Sequence, residues 1–217
     1  MPGAYVKIVK LRKWFPPHDP LAPKIARLCI LREDLMLEMQ GMYADDILEL
    51  DGLSAASRRM YFLRNLIRTH MELSGAIRRL HSDSEFCELL EKQSAGVKEK
   101  FKTALAKLDE AHPLLKEVRN DIGGHVQESA VQAALERMSW DSFGLLDIGP
   151  NALLTHYEFA GEITAEILLK DVSQEERLGI TSNKYILIAE LLPTFALIEY
   201  CLGIYAKSRN LLKLYDY

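Results

Sequence analysis

"LRNLIRTHMELSGAIRRL", residues 63–80, decides how this chain folds. Leu63, Leu66, His70, Leu73, Ile77 and Leu80 recur at intervals of three and four. That spacing predicts a long α-helix with one face turned inward. The rest of the helix is basic. Arg58, Arg59, Arg64, Arg68, Arg78 and Arg79 stand against a single acid, Glu72. Arg64, Arg68, Gly75 and Arg79 fall near one another around the helix, beside the core face. Two readings of that surface are open. One is a stripe of guanidinium groups that tracks RNA phosphates. The other is a solvated face paired with acids of neighbouring helices. No aromatic platform is evident beside the arginines, so base stacking is not predicted.

Helical spacing extends in both directions. Leu28, Leu31, Leu35, Met39 and Met42 form a stripe that begins at Ala22 and is broken by Asp51-Gly52. Ser54 is a cap for the central helix and "HSDS", 81–84, closes it. A third helix is expected from about Glu85 to His112, with Phe86, Leu90, Val97, Phe101, Leu105 and Leu108 inward. Pro113 is expected to restart the chain as a short helix reaching Gly123-Gly124. "QESAVQAALERM", 127–138, and "AGEITAEILLKDV", 160–172, are further helices. A long one follows from Asn183 to about Leu212, with a kink expected at Pro193. Between 140 and 157 apolar residues cluster around Gly149-Pro150-Asn151, which suits a small β-hairpin. The sum is an all-α, antiparallel bundle of five to seven helices with at most that hairpin. Residues 1–20 are expected to be irregular and 21–217 to form a single helical domain.

Bulk properties narrow the function. The 217 residues are nearly half apolar, about a quarter charged, and carry a net charge of −4. Such a chain builds a core without staples, and any nucleic acid must meet a local patch, since no whole-protein positive field exists. Lys7, Lys10, Arg12 and Lys13 make a second small basic patch. Cys29, Cys87 and Cys201 are widely spaced and odd in number. They argue against a disulfide framework, suit a reducing cytoplasm, and are expected to be buried core thiols. No signal segment is evident at the N-terminus. Residues 185–205 are apolar enough to suggest a membrane span, but Glu190, Glu199 and Pro193 favour a core helix. No metal or cofactor is expected. Glu-x-x-His is missing, and Glu158, Glu162 and Glu166 line one helix face as a solvated acidic surface.

The residues that suggest chemistry are in "EVRNDIGGHV", 117–126. Arg119-Asn120 is followed by His125 after a glycine pair that lowers helix propensity. Gly123 can end one helix as a left-handed cap, or the pair can clear room for a close approach. A guanidinium matches phosphate oxygens, and an imidazole near neutrality moves a proton to or from a ribose or leaving oxygen. "RNLIRTH", 64–70, has the same residue types, but His70 falls on the apolar stripe and reads as a core histidine.

"RNDIGGH" in an all-α setting resembles the HEPN superfamily, whose motif is arginine, a polar residue, then histidine after a short spacer. The resemblance covers residues 22–140, and residues 141–217 are an elaboration without a counterpart. It implies a homodimer with the motif in the interface cleft and a metal-independent endoribonuclease, often in toxin–antitoxin or antiphage systems. It implies that Arg119 binds phosphate, His125 acts as general acid or base, and Asn120 orients them. The RNA partner would be held by Arg64, Arg68 and Arg79, and an antitoxin or other partner protein is implied, with no membrane. The alternative is a non-catalytic helical dimer that binds a protein, RNA or a nucleotide, since some members have lost cleavage.

Overall fold

The computed structural model describes residues 10–43, 55–118, 127–139, 141, 146, 159–170, 172–173 and 184–211. The protein is all-α. Its helices are α1 (Leu11–Trp14), α2 (Ala22–Tyr43), α3 (Ala55–His81), α4 (Ser84–Glu91), α5 (Ala95–Val118), α6 (Glu128–Arg137), α7 (Phe159–Leu168) and α8 (Lys184–Ser208). There are thus eight helices among the described residues, where five to seven were expected.

Two of the differences have local causes. The expected third helix is two. Asp83 accepts the Glu85 and Phe86 N–H groups and starts α4, and the Ser94 carbonyl accepts from Val97 and Lys98 to start α5. A serine that can serve the backbone at a helix start competes with continuing the helix through it. Conversely, α5 passes through Pro113 to Val118 and α8 passes through Pro193. Each tolerates the one backbone hydrogen bond that a proline removes. The N-terminal segment is not wholly irregular, because α1 makes a turn of helix that buries Trp14. The hairpin expected near 140–157 falls outside the described residues, apart from Asp141 and Leu146, neither of which is in a strand.

Helix α3 is the centre of the bundle. It runs antiparallel to α2: Arg27 meets Glu72, Glu38 meets Thr69, and Phe62 seats on Gly41. It also runs antiparallel to α5, with Arg78 on Asp109 and His81 stacked on Phe101. Leu66, Leu73, Ile77 and Leu80 join α2, α4, α5 and α8 in the larger core. Met60, Leu63 and Ile67 join Met42, Ala134, Ile167 and Leu168 in a smaller one with α6 and α7. The apolar segment near 185–205 is a core helix, with Leu191, Leu197, Ile198, Cys201 and Ile204 all buried. No helix among the described residues is long and apolar enough to cross a membrane. Of the cysteines, only Cys201 is fully buried. Cys29 and Cys87 sit half-buried at helix flanks, so the expectation of three core thiols is corrected.

A charged clasp joins the chain's early and late segments. Asp19 is 7% exposed and takes both Nε (2.7 Å) and Nη2 (2.9 Å) of Arg209. It also accepts the Leu21 N–H at 3.0 Å. The Tyr205 hydroxyl lies between the Trp14 carbonyl (2.9 Å) and Asp19 (3.1 Å), and Arg209 reaches Glu85 at 2.7 Å. Asn210 takes a left-handed conformation (φ 53°) that ends α8, with Leu211 N–H returning to the Ala206 carbonyl. Helix α8 therefore stops at Ser208 instead of near Leu212, which leaves Arg209 free to turn toward Asp19. Hydrogen bonding by Arg209 holds the Asp19 carboxyl down at about 2. Burial, then Asp19 itself, pushes Tyr205 up to about 12.

Candidate functional site

Arg119, Asn120 and His125, with Gly123 and Gly124, lie outside the described residues. Their flanks are described. Helix α5 ends at Val118, and Gln127, in extended conformation (φ −78°, ψ 133°), caps the start of α6. In sequence the motif therefore falls between α5 and α6.

The other Arg-Asn…His copy is built and is not a site of acid–base chemistry. His70 is 5% exposed, and its Nε2 sits 2.8 Å from the Thr194 hydroxyl of α8. Burial lowers its pKa to about 4, so it is a neutral core residue at ordinary pH. Asn65 donates to the Tyr61 carbonyl one turn back, and Arg64 lies on the outer flank. Histidine and arginine thus stand on different sides of α3, as the apolar spacing predicts.

Arg64, Arg68 and Arg79 share the outer face of α3. Among the described residues none of the three has a carboxylate within ion-pair distance, whereas Arg27, Arg32, Arg78, Arg137 and Arg209 do. Arg78 is drawn to Asp109, and Glu72, the acid on this face, is 3.7 Å from Arg27. Glu38 turns to the Thr69 hydroxyl at 2.8 Å, and its pKa is raised, chiefly by burial. Arg79 folds over Gly75, its Nη2 being 3.9 Å from where a β-carbon would stand.

An aromatic residue that the sequence reading passed over belongs to this face. Tyr61 is 55% exposed, one turn before Arg64, whose guanidinium carbon is 5.7 Å from the ring centroid. Phe62 meets the Tyr61 ring edge-on at 5.4 Å and is itself set against Gly41. The available signal was the i, i+3 spacing of Tyr61 and Arg64, which places both on one helix face.

Elsewhere, a shallow pocket of about 190 Å³ opens between α6 and α7. Its Arg137 is already held by the Glu166 side chain (3.2 Å) and carbonyl (3.1 Å). That contact accounts for one member of the expected acidic face, while Glu162 is exposed and Glu158 lies outside the described residues. No protein-family model matches the chain, and no curated protein or solved structure does so either.

Proposed function

We propose that this protein is a metal-independent endoribonuclease of the HEPN type, working in the cytoplasm as a homodimer with Arg119, Asn120 and His125 as its catalytic set. The observation that carries the reading is the Arg-Asn…Gly-Gly-His sequence, between α5 and α6 in chain order, in an all-α protein. In this chemistry the ribose 2′-oxygen attacks the adjacent phosphorus and the 5′-oxygen leaves. A cyclic phosphate and a 5′-hydroxyl result, with no metal in the balance. His125 takes the 2′-hydroxyl proton or supplies one to the leaving oxygen, and its symmetry mate takes the other role. Arg119 neutralises the charge that builds on the phosphate oxygens. Asn120 holds the two in register. A toxin or antiphage role, with an antitoxin as partner protein, follows from the same resemblance.

Purified protein is incubated with total RNA in EDTA, beside His125→Ala and Arg119→Ala, with folding checked by circular dichroism. Each substitution should cost about 10²–10⁴-fold in cleavage rate. Folded variants that cut as fast as wild type would remove the proposal. The second reading, a module that binds RNA without cutting it, draws support from Arg64, Arg68 and Arg79 of α3, which have no carboxylate within ion-pair distance among the described residues. It predicts binding with no cleavage under the same conditions.

A further inference from the structure

We infer that the outer face of α3 is a binding site for a single strand of nucleic acid, with Tyr61 as a base-stacking platform and Arg64, Arg68 and Arg79 as phosphate contacts. Three observations combine here. First, Tyr61, Arg64, Arg68, Gly75 and Arg79 repeat at threes, fours and sevens, so they form one stripe on the helix opposite its buried residues. The stripe spans about 27 Å from Tyr61 to Arg79, room for a short stretch of strand.

Second, its charge is only partly answered within the described residues. No described carboxylate stands within ion-pair distance of Arg64, Arg68 or Arg79: Glu72 pairs with Arg27, and Glu38, held by the Thr69 hydroxyl, feels the Arg68 charge only from farther away. A guanidinium without a carboxylate is a ready phosphate ligand, and three in a row suit a polyanion better than a single ion.

Third, the aromatic ring is both exposed and braced. Phe62 meets its edge, and Gly41 admits Phe62 so closely that a β-carbon there would collide with the ring. A side chain held in that way offers a flat apolar face at little cost in conformational freedom. Bases in a duplex already stack on each other, whereas an unpaired base has a free face. The combination of a fixed ring with flanking cations therefore selects a single strand over a duplex.

The inference does not rest on catalysis at His125, and the probes keep the two separate. The full chain is titrated with fluorescein-labelled strands of about 12 nucleotides, made as DNA and as 2′-O-methyl RNA. Neither probe has a free 2′-hydroxyl, so cleavage cannot disturb the reading. Both single strands should bind, and Tyr61→Leu should weaken each roughly tenfold while Tyr61→Phe binds as wild type. Arg64→Gln and Arg68→Gln should each lower the slope of log K against log salt by about 0.7. A duplex of the same sequence should bind more weakly and ignore the Tyr61 change. Tighter binding of the RNA analogue than of DNA identifies RNA as the ligand, and equal binding identifies a single strand of either sugar. The inference is overturned by no binding of either strand, by a duplex that competes equally, or by Tyr61→Leu binding as wild type. A protein partner for the arginines is the reading left in the first case. If Tyr61→Leu does not fold, the salt slopes of the arginine variants decide. Natural RNA cut equally well by Tyr61→Leu and Arg68→Gln leaves the nuclease reading standing without this one. Binding without cleavage does the reverse.

Discussion

Arginine does opposite work at two places in this bundle. At the clasp, Arg209 is enclosed by Asp19 and Glu85, while its cation lies 5.5 Å from the Tyr205 ring centroid. On the outer face of α3, Arg64 also lies beside a tyrosine ring, at 5.7 Å, but no described carboxylate closes on it. The clasp spends its charge inside the molecule and joins three segments with it. On the α3 face no described carboxylate comes within ion-pair distance of Arg64, Arg68 or Arg79. The surroundings of a residue, more than its type, separate a structural cation from one available for binding.

The largest expected effect breaks the clasp. Asp19→Ala removes the acceptor for Arg209, Tyr205 and the Leu21 N–H together. It should cost about 3 kcal/mol of stability, read as a fall in the urea midpoint, because a half-buried cation loses its main partner. The Asp19 carboxyl is depressed in the folded state. Its contribution is therefore complete above the ordinary carboxylate range near 3.8 and fades as pH falls toward 2.

The inner face of α3 gives the next effect, at a higher pH. His70 takes its proton near 6.5 when unfolded and only near 4 when folded. Above 6.5 both states are neutral and nothing is lost. As pH falls from 6.5 to 4 the unfolded state gains the proton first, so stability should drop by roughly 2–3 kcal/mol. His70→Gln should remove that slope from the pH dependence of the urea midpoint. An unchanged slope would mean that His70 is not the buried neutral group described.

Smaller effects belong to the outer face. Gly75→Ala should stabilise the protein by about 1 kcal/mol, since a β-carbon there meets only Arg79 and the helix gains a better former. A loss of stability in thermal melts would show that the glycine is packed after all. Arg68→Gln should change stability by less than about 0.5 kcal/mol. A larger cost would show that its charge is spent internally, like that of Arg209, and would erase the contrast between the two regions.

The fold was largely legible where apolar spacing governs. Leu63, Leu66, His70, Leu73, Ile77 and Leu80 are all buried, as their three-and-four intervals require. So are Leu28, Leu31, Leu35 and Met42 of α2. Periodicity failed at residues 92–94, where Ser94 starts a new helix and the nearby glycine, Gly96, lies inside its first turn and not at the break. It also could not reveal the clasp, whose members are near only after folding. The partner of His70 was hidden for the same reason, because Thr194 is 124 positions away. At the candidate site the motif was read from residue types alone. Tyr61 was passed over although it stands between Arg59 and Arg64 in the sequence, because the exposure of its ring shows only in the fold.

The clasp also sets an order in time. Asp19 and Arg209 are 190 positions apart, so at about 5–20 residues per second a ribosome needs roughly 10–40 s to supply the second after the first. During that interval the neighbouring pair α2 and α3 can already associate, while Trp14 and Asp19 have no Tyr205 or Arg209 to meet. The segment carrying Trp14 and Asp19, made before α2 and α3, is thus fastened after them.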